Sequence, residues 1–129
     1  MKQKYGVVYK VVHGFKFLFY TQVPVGVRVV AHCLDTDDAF IGDNLTDALQ
    51  KLKKALETRI WVADRCGDFS KLWTPASGEY LAMIRGAAKF GTTRHSAMYP
   101  GFRKQESAAQ QELSEIAVML EAALYGVQR

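Results

Sequence analysis

The chain has 129 residues, 49% of them hydrophobic and 23% charged, which fits one domain able to bury a core and excludes disorder overall. Its net charge of +4 is ordinary for this length. The two cysteines, Cys33 and Cys66, are too few for a disulfide framework and read as free, mostly buried thiols.

Residues 5–12 are rich in Val and Tyr and residues 15–20 in Phe, both strand compositions. Lys10, His13 and Lys16 interrupt the apolar run behind Lys2 and Lys4, so the start does not read as a signal peptide. No apolar stretch approaches the ~20 residues of a membrane helix. The expectation is a cytoplasmic protein with no membrane partner.

His13-Gly14 marks a reversal between the two strands. Two registers are open. A three-residue loop at His13–Phe15, the preferred one, sets Val7, Tyr9, Val11, Phe17 and Phe19 on one face. The other face then holds Val8, Lys10, Val12, Lys16, Leu18 and Tyr20. A two-residue loop mixes these sets, makes both faces apolar and requires cover on both sides. After the break at Val23–Gly26, residues 27–34 form a third strand, alternating Val27, Val29, Ala31 and Cys33 with Arg28, Val30, His32 and Leu34.

Helical signals follow. Asp43 or Asn44 caps a helix over about 44–65, whose stripe is Leu45, Leu49, Leu52, Leu56, Ile60 and Ala63 and whose stop is Gly67. Asp68 or Thr74-Pro75 restarts a helix over about 75–90, ended by Gly91. Residues 91–104 read as a loop with a Pro100-Gly101 turn. A capping box at Ser107 and Gln110 opens a last helix over about 105–125, with Leu113, Ile116, Ala117, Leu120 and Leu124 inward. The order β-β-β-α-α-α predicts a single α+β domain, 1–129, with a three-stranded antiparallel meander packed against three C-terminal helices.

Charge is segregated along this order. Residues 1–34 and 80–105 contain no acid and carry +5 each, whereas 35–58 and 106–129 carry −3 each and 59–79 is neutral. The 80–105 stretch sets Arg85, Lys89, Arg94, His95, Arg103 and Lys104 among Tyr99, Phe102, glycines and hydroxyls. Bases neutralise phosphates and aromatic faces stack on unpaired bases, so this stretch is the first candidate for nucleic-acid or anion binding. A secondary basic face on the sheet comprises Lys10, Lys16, Tyr20 and Arg28, with Val8, Val12, Leu18 and Val30 arguing that the face is partly covered.

Asp35, Asp37, Asp38 and Asp43 form an acidic patch suited to a basic protein partner. They do not follow a calcium-loop pattern, because Ala39 and Phe40 stand where oxygen ligand and Gly are needed. The scattered His13, His32 and His95 lack zinc spacing. No phosphate-cradling, nucleophile-elbow or dinucleotide motif is present. No metal, cofactor or catalytic residue is assigned.

Three functional expectations follow. The first is a small non-enzymatic protein that binds nucleic acid or joins a nucleic-acid complex. The second is a protein-binding adaptor or inhibitor of a larger nucleic-acid machine, engaging basic or acidic protein surfaces through its segregated charge. The third is an enzyme with a His/Arg phosphate site, drawn around Arg94, His95, Ser96 and Tyr99. The alanines of the last helix, with Met119 and Tyr125, add a homodimer through that helix as a further expectation.

Overall fold

A computed structural model describes residues 6–21, 28–80 and 101–125. Four strands form one antiparallel sheet in the order β1-β2-β3-β4: Gly6–Val12, Phe15–Thr21, Val29–Cys33 and Asp38–Gly42. Helices α1 (Leu45–Cys66) and α2 (Phe102–Leu124) pack on one side of it. The α+β class and the antiparallel meander agree with the sequence reading. The strand count does not: β4 lies where an acid-rich loop was expected.

The β1–β2 hairpin settles the register. Its turn has two residues, His13 and Gly14, both at positive φ (53° and 85°), and Val12 faces Phe15. Such a turn matches the twist of the flanking strands. The three-residue loop and its face assignment are therefore overturned. One face carries Val8, Lys10, Phe15, Phe17, Phe19, Val29, Ala31, Cys33 and Phe40; the other carries Val7, Tyr9, Val11, Lys16, Leu18, Tyr20, Val30 and His32.

Both faces are apolar, and each has cover. Phe17 and Phe19, fully buried, meet Leu45, Leu49, Leu52 and Leu56 of α1 and Phe102, Leu113, Ile116 and Leu120 of α2. On the opposite face Val7, Leu18, Tyr20 and Leu34 pack with Ala76 and Tyr80 from the segment that follows α1. That segment is tied on by the Ala76 N–H, which donates to the Leu34 carbonyl (2.9 Å). Trp73 stacks on Phe15 with ring centroids 5.9 Å apart.

Local chemistry fixes the helix ends. Asn44 caps α1 by accepting from the Asp47 N–H (2.8 Å), and left-handed Gly67 (φ 70°) stops it. Gly42 allows α1 to start hard against β4: a Cβ there would lie 2.4 Å from the Ala48 backbone nitrogen.

The last helix begins earlier than expected. Phe102, Arg103 and Lys104 form its first turn rather than the end of a loop, and Ser107 lies within it rather than at its cap. Left-handed Gly101 (φ 76°) precedes it without a side-chain cap. The helix expected over 75–90 is described only at its start, where Gly78–Tyr80 have helical backbone; the rest lies outside the described residues. Cys33 is buried as expected, but Cys66 at the end of α1 is exposed.

The two helices run parallel. Gln105 Oε1 accepts from the Leu45 N–H (2.8 Å) at one end, and Lys53 pairs with Glu115 further along. Their N-termini therefore sit side by side. α2 lies over the β1–β2 side of the sheet, where Lys10 bonds Glu106 and Phe19 meets Phe102. No described helix is long and apolar enough to cross a membrane.

Candidate functional site

Of the basic stretch, Arg85, Lys89, Arg94, His95 and Tyr99 lie outside the described residues. Phe102 turns inward and is 2% exposed, its ring 6.5 Å from that of Phe19. It serves the core and offers no stacking surface. Arg103 and Lys104 are exposed on a first helical turn that holds no acid.

The secondary basic face does not assemble as a basic surface. Lys10 and Lys16 sit on opposite faces of the sheet. The Lys10 ammonium is taken by Glu106. Lys16 is exposed near the start of β2 with its ammonium 3.8 Å from Asp35, whose carboxylate also accepts the Lys16 N–H (2.7 Å). Tyr20 is buried; burial first, and then the neighbouring Tyr80, push its hydroxyl pKa up to about 12. Arg28 is exposed, and no acid partner for it lies among the described residues.

Three of the four acids of the acidic patch pair within the chain. Asp35 holds Lys16, Asp37 holds His32, and Asp38 holds Arg59. Asp43 donates its N–H to Asp47 Oδ2 (3.0 Å), a bond that lowers the pKa of the Asp47 carboxyl. Lys53 and Glu115 pair between the two helices, which raises the lysine pKa and lowers that of the glutamate. His13 Nδ1 stands 3.5 Å from Glu121 at the far end of α2. Charge that is segregated in the sequence is thus reunited by the fold. Among the described residues, no three of His, Cys, Asp and Glu converge as a metal site would need.

His32 and Asp37 form the most enzyme-like geometry. His32 Nε2 is 2.8 Å from Asp37 Oδ1, the ring is 1% exposed, and its Nδ1 has no partner among the described residues. Tyr80 closes over it edge-on at 4.3 Å. An imidazole sealed in this way presents no reacting atom to solvent. It anchors Asp37, held at φ 57°, and seats Tyr80 on the sheet.

A cleft of about 700 Å³ lies beside the hairpin turn. Phe15, Trp73, Tyr80 and Tyr125 give it aromatic walls, and His13, Lys16 and Asp35 stand among them. Leu124 and Tyr125, at 51% and 75% exposure, form its α2 side. Sequence reading named Tyr125 only as a dimer residue and passed over Trp73. The available signal was a Trp directly before Thr74-Pro75 in the charge-neutral segment, where an aromatic is set on an extended, Pro-braced stretch. A second exposed aromatic, Trp61, lies on α1 at 60% exposure with the Arg65 guanidinium 5.0 Å above its ring.

No protein-family model, curated protein or solved structure matches this chain.

Proposed function

We propose that this chain is a non-enzymatic protein-binding module, an adaptor or inhibitor, that receives an apolar side chain of its partner in the cleft beside the hairpin turn. One observation carries this reading: among the described residues Lys10, Lys16, Asp35, Asp37 and Asp38 are paired within the chain, while Leu124 and Tyr125 stand in solvent at the rim of an aromatic-walled cleft. Aromatic anchors in a concave site are what protein recognition uses, and the polar groups around them set orientation. The cleft is built on the hairpin turn, the Trp73–Tyr80 segment and the end of a long helix.

Nucleic-acid binding is kept as the second reading because of Arg103 and Lys104. They stand exposed on the acid-free first turn of α2, beside the N-terminus of α1, where both helix dipoles favour an anion. Arg28 and Lys16 are further exposed bases among the described residues.

The experiment that separates the readings uses two variants. Tyr125→Ser removes an exposed rim aromatic; Arg103→Glu with Lys104→Glu reverses the basic turn. A partner retained through nuclease treatment, lost by Tyr125→Ser and kept by the charge-reversed chain, supports protein binding. Binding of labelled single-stranded or duplex nucleic acid that weakens steeply with salt, and is lost on charge reversal alone, overturns it in favour of the second reading.

A further inference from the structure

We propose that β1 pairs with β1 of a second copy, antiparallel about a two-fold axis at Tyr9, joining two four-stranded sheets into one. This association goes beyond partner capture at the cleft, and either can fail without the other.

The sheet has two edges, and the chain treats them differently. At β4 the Lys51 ammonium donates to the Ile41 carbonyl (3.1 Å), so a charged side chain sits on the outer hydrogen-bonding row. Lysine on an edge strand is a common guard against pairing with another chain. Among the described residues β1 has no such guard. Its one charged residue, Lys10, is turned to the helical layer and held by Glu106. Among the described residues β1 hydrogen-bonds only to β2.

The hairpin turn determines which groups are left over. Val12 and Phe15 close a two-residue turn, so Val12, Lys10 and Val8 direct their backbone groups to β2. The Lys16 carbonyl accepts from Leu34 on the other side of β2, as this alternation requires. The N–H and C=O groups of Val7, Tyr9 and Val11 therefore point outward. An unpaired row of this kind is a template for a further strand.

The row is self-complementary. Val7, Tyr9 and Val11 read the same in both directions about Tyr9. Two-fold pairing there sets Tyr9 against Tyr9 of the copy and Val7 against its Val11, and engages every outward group. β-branched and aromatic cross-strand pairs are favourable ones. It covers Val11, now 48% exposed. It also sets Lys10 opposite Val8, whereas a register centred one residue later would oppose two Lys10 ammonium groups. Isologous contacts of this form are the ordinary route to closed dimers.

Pairing of one short strand lies at the low end of specific interfaces, which bury about 1,200–2,000 Å² in total, so the dimer forms as concentration rises. The test is sedimentation velocity over a concentration series, with amide hydrogen exchange followed by NMR. The wild-type chain is expected to pass from monomer to dimer, with the Val7, Tyr9 and Val11 amides protected only at the dimeric end. Val11→Pro deletes an outward donor without touching the β1–β2 ladder, and Val11→Lys restores an edge guard. Each is expected to weaken dimerisation by about tenfold or more while the thermal melt stays cooperative. A chain that stays monomeric throughout overturns the proposal. So does a dimer in which those three amides exchange freely, because its interface lies elsewhere. If Val11→Pro unfolds the hairpin, Val11→Lys decides alone, and undiminished dimerisation of that variant refutes the edge pairing.

Discussion

The Lys10–Glu106 pair tests how far the charge blocks are consumed in folding. Lys10 stands on the sheet face that packs against the helices, and Glu106 on α2 above it, with side chains 30% and 23% exposed. That burial lies between two measured regimes. Fully exposed pairs contribute about 0.2–1 kcal/mol, and removing one partner of a fully buried pair costs about 3–5 kcal/mol. Lys10→Ala and Glu106→Ala are each expected to cost about 2 kcal/mol, because each strands the other charge beside apolar neighbours. Lys10→Ala with Glu106→Ala strands neither, and is expected to cost about 2–3 kcal/mol rather than the sum, a coupling of roughly 1–2 kcal/mol. Urea unfolding followed by circular dichroism gives all four stabilities, and an unchanged slope keeps the comparison on the native state. Repetition in high salt should shrink the coupling only slightly, since partly buried pairs are weakly screened. Strictly additive losses would refute the reasoning and return Lys10 to the pool of charges available to a partner.

Two further outcomes follow from the geometry. Gly42→Ala forces a Cβ to 2.4 Å from the Ala48 backbone nitrogen; pushing α1 off β4 should cost about 3 kcal/mol or more, read as a fall in the denaturation midpoint. Tyr20 has a folded-state pKa raised to about 12. The unfolded chain therefore ionises first, so stability falls between about pH 10 and about pH 12, by on the order of 2 kcal/mol. Tyr20→Phe should flatten that part of the pH profile, and a profile of unchanged steepness would refute the assignment.

What could be read from sequence divides by range of interaction. α1 was legible to within a residue because its signals are local: the Asn44 cap, the Leu45, Leu49, Leu52 and Leu56 stripe, and Gly67 in the left-handed conformation. β4 was hidden because it is five residues long and its inward side holds only Phe40 and Gly42 between flanking aspartates. The hairpin register turned on whether His13 accepts positive φ, a preference usually sought in Asn or Asp. That one residue exchanged the faces of Val8 and Val7 and doubled the number of apolar faces. The start of α2 moved back because Arg103, Lys104, Gln105 and Glu106 are good helix formers that needed no Ser107 cap. The candidate site was less legible than the fold. Its cleft joins the hairpin turn, the Trp73–Tyr80 segment and the end of α2, which are distant in sequence and meet only through tertiary packing.

Block segregation of charge is a natural consequence of a layered fold whose strands come first and helices last. A basic strand block and an acidic last helix become complementary surfaces once one layer covers the other. Lys10 with Glu106 and His13 with Glu121 then mark two points along one line, which fixes both where α2 sits over β1 and which way it runs. Arg59 with Asp38 repeats the device with signs exchanged, drawing α1 onto β4. Reversing α2 would bring Glu121 to Lys10 but leave Phe102 far from Phe19, so charge and core packing agree on one orientation. The charge pattern therefore speaks first to topology. Function has to be sought in what the described residues leave over: the aromatic rim at Leu124 and Tyr125, the bases at Arg103 and Lys104, and the outer edge of β1.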